Sequence, residues 1–244
     1  MIVAGMATMP DRLPYLEDVV ETIRPQVDAL RVYLNGFDER PKFLGSDEAI
    51  LSDDAHGDLG AEGKLYWMDG KDGLDDYTHY LTIDDDLGYP KNYVVALARE
   101  FDAREGRAIV GAHASTFLHP MEDFVESRDE RFRFYEPLSR ARQVHLLGTA
   151  TTMWSRATIE LDLAQDFPMR NASDLQLAVA AQKQQVPMVA IPRTEQWITE
   201  RRPWTDQGFS IWKSTKAEGH SRAKTELAKT AVERWVLYPD PIST

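Results

Sequence analysis

The chain has no cysteine among its 244 residues. Disulfides, thiolate metal sites and a cysteine nucleophile are excluded on that count, which suits a reducing compartment. It has no apolar run near the roughly 18 residues that span a membrane. Its opening, MIVAGMATMPDR, has neither the basic start nor the long apolar stretch of a secretory leader. Positive charge is scarce: 28 Lys and Arg stand against 40 Asp and Glu, a formal net charge of −12. Such an acidic balance disfavours contact with nucleic acid phosphates, so a phosphate-bearing ligand needs local cations or a metal ion. The expectation is a soluble, cytoplasmic protein with no integral membrane segment and no nucleic acid partner.

Core material is plentiful, with 43% hydrophobic residues and 6 Trp, 9 Tyr and 9 Phe. No internal repeat, low-complexity segment or linker divides the chain, so one domain over residues 1–244 is expected. Apolar runs alternate with helical patterns. IVAGMA (2–7) reads as a buried strand and DRLPYLEDVVETI (11–23) as an amphipathic helix, closed by Pro25. ALRVYLNG (29–36) is the next strand, and this β-α-β beginning marks a parallel sheet in an α/β fold.

Further strands are expected at KLYWMD (64–69), HYLTIDDD (79–86), RAIVGAH (107–113) and PMVAIP (187–192), with VHLLGTATTMWS (144–155) interrupted by Gly148. Residues 37–63 read as loop with a short helix. Pro90 suits the first turn of a helix containing Tyr93, Val94, Leu97 and Phe101. Ser173 suits the cap of DLQLAVAAQKQQ, and the tail from Ser221 to Trp235 reads as helix.

The run Asp84-Asp85-Asp86 follows an apolar strand, where three like charges contribute nothing to a core. If the strand persists, Asp84 and Asp86 share a face and Asp85 points the other way. Parallel α/β sheets bind ligands at the carboxyl ends of their strands. Two carboxylates there suit Mg²⁺ or Mn²⁺, which take carboxylate and water oxygens and remove the repulsion. The competing reading is a solvated turn or helix cap ahead of Pro90.

YLTIDDDLGYP resembles the DxD region of GT-A fold, nucleotide-sugar glycosyltransferases. IVAGMATMPDR with its helix and LRVYLNG resembles that family's first βαβ unit, and GKLYWMDG, IVGAH, GTATTMW and SDLQLAVAAQKQQVPMVAIPR follow in the family's order. The resemblance implies a Rossmann-like domain with a central, mostly parallel sheet flanked by helices. Residues 1–113 would then form the nucleotide-sugar half, and 114–244 the acceptor half with a closing loop and C-terminal helix. It implies Mn²⁺ or Mg²⁺ as cofactor, a UDP-sugar as the most common donor, and a hydroxyl acceptor on a glycan, a lipid-linked glycan, a small molecule or a protein.

Roles carried over by that resemblance place Asp84 on ribose or metal, Asp85 near the donor through water, and Asp86 on the metal, with His220 as a further metal ligand. Ala7, Thr8 and Arg12 fall in the nucleotide-contacting loop, Asn35 at the base edge and Lys64 near the nucleotide or its phosphates. Gly148, with Thr149 and Thr151, would let a sugar approach the backbone. Asp174 matches the acceptor-side acid, a base in an inverting enzyme or a group orienting the acceptor in a retaining one. Helix capping is its non-catalytic alternative.

In the segment 208–224, Lys213, Lys216, Arg222 and Lys224 supply local positive charge, and Trp204 and Trp212 are candidates for stacking on a sugar. Two other functions compete. One is a noncatalytic nucleotide-sugar or carbohydrate binder of the same fold. The other is a DxD phosphatase, disfavoured because Leu87-Gly88 stand where that motif needs Thr or Val.

Overall fold

The computed structural model describes residues 1–68, 77–201 and 218–243, with side chains over 221–242 in the last segment. β1 (Ile2–Thr8), α1 (Leu13–Ile23) and β2 (Ala29–Leu34) form the opening βαβ unit. α1 buries Leu16, Val19, Val20 and Ile23, the three- and four-residue spacing that fits a helix to a sheet. β3 (Ile50–Asp53) and a 3-10 helix at Gly60–Leu65 follow. After them come β4 (His79–Asp84), β5 (Leu87–Gly88), α2 (Tyr93–Asp102), β6 (Ile109–Gly111), β7 (Ala114–Phe117) and β8 (Arg128–Phe132). The chain continues through β9 (Arg142–Val144), β10 (Leu146–Leu147), β11 (Thr151–Trp154), α3 (Leu163–Asp166) and α4 (Ser173–Gln184). It closes with β12 (Met188–Ala190), β13 (Thr199–Glu200) and α5 (Glu218–Thr230).

An eight-stranded sheet in the order β3-β2-β1-β4-β11-β6-β12-β9 carries the molecule. The four strands from β3 to β4 are parallel, as are β6 and β12, while β11 runs antiparallel between β4 and β6. Both faces are covered. Ala4, Met6, Leu81, Ile83 and Val110 pack with residues of α1 and α2, whereas Val3, Tyr80, Ile109 and Trp154 pack with residues of α4 and α5. This two-sided burial explains why the strands read as continuous apolar runs.

Several expectations shift. Residues 64–68 of KLYWMD are not a strand: they continue the 3-10 helix into a turn, and Leu65, Tyr66, Trp67 and Met68 are all buried without alternation. Tyr66 and Trp67 instead pack their rings on Tyr33. Pro90 precedes α2 and its carbonyl accepts the Tyr93 N–H at 2.9 Å. The 144–155 run is three strands in two sheets, since β10 pairs with β7 in a separate three-stranded sheet. Within 37–63, β3 adds an edge strand that polarity concealed. α5 ends at Thr230, and Trp235 packs back by donating its indole N–H to the Ala228 carbonyl at 3.2 Å.

The C-terminal segment is fixed by charge. Arg104 is 1% exposed and donates to Asp240 at 2.8 Å and to Glu100 at 2.9 Å. Asp240→Ala leaves that buried guanidinium with Glu100 as its one carboxylate partner, and should cost about 3 kcal/mol in urea unfolding.

His145, between β9 and β10, is buried and accepts the Phe117 N–H on Nδ1 at 2.8 Å. Burial holds its pKa down at about 4, against an ordinary 6.5. The unfolded chain therefore takes up a proton that the folded chain refuses. The stabilisation from neutral His145 is complete above pH 6.5 and is lost as pH falls through about 4; at most it is worth about 3 kcal/mol. His145→Asn should remove that share of the slope when unfolding free energy is measured across this range.

Candidate active site

Strand register gathers the candidate residues at one edge of the sheet. In the parallel ladder Ala7 pairs with Asp84 and Thr8 with Leu34, so the ends of β1, β2 and β4 coincide. β11 runs the other way and pairs Thr151 with Ile83, which brings the turn before it, Gly148–Ala150, to the same edge. A cavity of about 390 Å³ opens there, and the N-terminal end of α4 lines its far side.

β4 ends at Asp84, and Asp85 and Asp86 lie in a turn. Strand alternation therefore does not place Asp84 and Asp86 on a shared face. Both line the cavity nonetheless, because the turn delivers Asp86 to Arg12. Lys64 forms an ion pair with Asp84, and Arg12 pairs with Asp86 and lies 3.8 Å from Asp85. The Lys64 side chain is 5% exposed. Burial works against its charge, yet Asp84, then Asp174 and Asp85, more than offset this and raise its pKa. Arg12 follows the same pattern beside Asp86 and Asp85. Asp85 is the most enclosed of the three, and burial, opposed by Arg12 and reinforced by Asp86, pushes it up to about 7.

The backbone around the carboxylates is equally fixed. The Asp84 N–H donates to the Tyr89 hydroxyl at 2.8 Å, and that hydroxyl donates to the Ala150 carbonyl at 2.8 Å. The Arg201 N–H donates to the Asp86 carbonyl at 2.8 Å, extending the small β5–β13 sheet. Asn35 is committed to the loop beside it. Its Oδ1 accepts the N–H groups of Leu59 and Gly60 at 2.8 and 3.1 Å, and its Nδ2 donates to the Gly60 carbonyl at 3.0 Å.

On the acceptor side, Asp174 is the second residue of α4 but does not cap it. Its Oδ1 accepts both the N–H and the hydroxyl of Thr149, at 2.8 and 2.7 Å. Ser173, expected as the cap, is the first helical residue, and its hydroxyl shares a 2.9 Å bond with Thr149. Burial raises the Asp174 pKa, but the two Thr149 donors and Lys64 outweigh it, so the carboxyl lies below its ordinary value and is ionised at neutral pH. His113 packs on Phe134 and is held neutral by burial, with a pKa of about 4. Gly148 accommodates that ring: a Cβ on it would lie 3.0 Å from His113 Cδ2. Arg128 lies 4.7 Å from the centre of the Phe124 ring, and Lys224 of α5 is 5% exposed; burial lowers the pKa of both cations.

Ala7, Thr8, Arg12, Asn35, Lys64, Asp84, Asp85, Asp86, Gly148 and Asp174 thus line one cavity. The His220 side chain lies outside the described residues, as do Trp204, Trp212, Lys213 and Lys216. Sequence reasoning missed Arg128, Phe124, Asn171 and Glu62. Arg128 opens a short, largely exposed strand that carries no hydrophobic pattern, and Glu62 sits in a Gly-rich polar stretch, so neither gave a signal. Among the described residues, no three His, Asp or Glu side chains converge to hold a metal by themselves. Asp84 and Asp86 each keep a second oxygen outside the ion pair, and their side chains are 37% and 25% exposed. That donor set fits a hard cation bound through one or two carboxylates plus substrate phosphates.

No family model matches the chain, and no curated protein matches it by sequence. The fold does have counterparts among solved structures. It is a Rossmann-like α/β fold, with a mixed, mostly parallel sheet flanked by helices. One such counterpart is S. aureus TarS 1–349 in complex with UDP-GlcNAc, matched at a TM-score of 0.54 and 9% identity over 93% of this chain and 70% of that one.

The seat of Lys64 depends on a glycine. A Cβ on Gly5 would lie 2.1 Å from the Lys64 carbonyl oxygen, which also accepts the Tyr80 hydroxyl at 2.8 Å. Gly5→Ala must push the 3-10 helix off the sheet and should cost about 3 kcal/mol, read by chemical denaturation.

Proposed function

We propose that this chain is a glycosyltransferase that moves a sugar from a nucleoside diphosphate donor, a UDP-sugar foremost, to a hydroxyl acceptor. One observation carries the reading: a single cavity sets the Asp84–Asp86 run, with Lys64 and Arg12, opposite an ionised and oriented Asp174. The likeness of fold to TarS, a structure holding UDP-GlcNAc, supports it.

In this reading the donor diphosphate lies against the tip of β4. Ala7 and Thr8 line the nucleotide side, and Asn35 shapes that wall through the 59–60 loop. Asp84 and Asp86, with His220 as a further ligand, would hold Mn²⁺ or Mg²⁺, which when bound would supply Lewis-acid stabilisation of a departing diphosphate. Arg12 and Lys64 exchange part of their pairing with carboxylates for phosphate oxygens, which Arg binds through its planar fork. Asp174 takes the proton of the acceptor hydroxyl. The acceptor oxygen forms a bond to the anomeric carbon, and the bond from that carbon to the diphosphate breaks with its electrons leaving on UDP. This course inverts the anomeric centre.

The test is UDP release from a panel of UDP-sugars with Mn²⁺, alongside donor binding read by thermal shift. Release above the blank is expected, with Asp86→Ala losing both binding and release. Asp174→Asn should keep donor binding and lose about 10²–10⁴-fold in rate. Binding without release in the wild-type protein would favour a noncatalytic nucleotide-sugar binder. Binding to none of the panel would overturn the reading.

A further inference from the structure

Glu62 is a buried carboxylate that the chemistry above leaves unused. It sits two residues before Lys64 on the same 3-10 helix, is 4% exposed, and reaches across to the start of α4. Its Oε2 accepts the Asn171 N–H at 2.7 Å and its Oε1 accepts the Ala172 N–H at 2.8 Å. The Gln176 amide adds a longer bond at 3.5 Å. A parallel link runs from the Ala61 N–H to Asn171 Oδ1 at 3.0 Å. Asn171 has φ of +59, a left-handed backbone that Asn tolerates better than most residues. The approach to α4 is therefore held at the consecutive residues Asn171 and Ala172, and Asp174 lies two positions further on.

A helix start needs acceptors for its orphan N–H groups, and a local Ser, Thr, Asp or Asn usually supplies them. α4 has Ala172 at that position and spends both Ser173 and Asp174 on Thr149. The amide of Ala172 itself, and that of Asn171 before it, find their acceptor in Glu62, 110 and 109 positions away in sequence, at the cost of burying a charge. Burial raises the Glu62 pKa, opposed by the two backbone N–H groups and by Lys64. A distant buried carboxylate in place of a nearby hydroxyl makes sense where separation, beyond helix stability alone, has to be fixed.

We infer that Glu62 is a positioning residue, which clamps the start of α4 to the 3-10 helix and so sets Asp174 relative to Lys64 and the tip of β4. The inference rests on the transferase reading of the site, and it assigns Glu62 no contact with substrate.

The experiment is a double-mutant cycle between Glu62→Gln and Asp174→Asn, scored by UDP release and by donor affinity. Gln keeps the size of Glu but turns an NH₂ group toward one of the two N–H donors. Glu62→Gln should lower kcat roughly 10- to 100-fold, as expected for a small misplacement of a reacting group, with donor affinity changed less than about twofold. The double variant should be no slower than Asp174→Asn alone. Losses that multiply, or a donor affinity that falls along with the rate, would overturn the inference and leave a purely structural carboxylate.

Asn171→Gly loosens the same clamp without disturbing the buried charge, and should show the same coupling to Asp174. Hydrogen exchange supplies a readout independent of turnover: the Asn171 and Ala172 amides should exchange faster in Glu62→Gln, with the interior of α4 unchanged. Unaltered protection there would overturn the clamp. A wild-type protein that releases no UDP would instead remove the transferase reading, while exchange still decides whether the clamp exists.

Discussion

Three consecutive carboxylates at the end of a strand buried on both faces must be neutralised or separated, and this molecule does both. Two unit charges 4 Å apart near a protein surface interact by about 4 kcal/mol, a large share of the 5–15 kcal/mol that holds a typical domain together. Ending β4 at Asp84 turns the next two side chains out of the strand, and Lys64 and Arg12 each take one carboxylate. The two cations come from different elements, the 3-10 helix at Gly60–Leu65 and a second one at Pro10–Arg12 ahead of α1, so neutralising the run also ties those elements to the sheet edge. The same charges that the fold has to manage are the ones that the proposed function gives to a diphosphate and its cation.

The cleft walls are joined by polar links between residues far apart in sequence. Asn35 organises the loop that leads into the 3-10 helix, Glu62 carries that helix across to α4, and Thr149 returns from α4 to the turn before β11. These contacts engage backbone N–H groups of partly or fully buried residues, and buried N–H groups without a partner are rare in folded proteins. Arrangement of the site and satisfaction of the backbone are thus one requirement.

The sequence made the framework legible because two-sided burial writes itself as apolar runs. β2, β4, β6 and β12 lie within the segments their hydrophobicity marked, β1 overruns its own by Thr8 alone, and the cavity collects the residues chosen at their ends. What it concealed has physical causes. KLYWMD is as apolar as a strand, but an aromatic cluster with Tyr33 and the approach over Gly5 decide its shape, and both are tertiary facts. Asp174 begins a helix and so reads as a cap, yet its partner Thr149 is 25 residues away. Glu62 and Arg128 gave no sign at all, since a polar residue in a polar stretch looks solvated until the fold buries it.

Tyr89 shows what such links demand of the sequence. Its hydroxyl accepts the Asp84 amide and donates to the Ala150 carbonyl, joining the strand that bears the acidic run to the turn opposite. By size and hydropathy, phenylalanine is the natural replacement at a site 3% exposed. It would leave the Asp84 N–H without its acceptor and the Ala150 carbonyl without its donor, so a substitution that hydrophobicity alone regards as silent unties the two walls of the cleft.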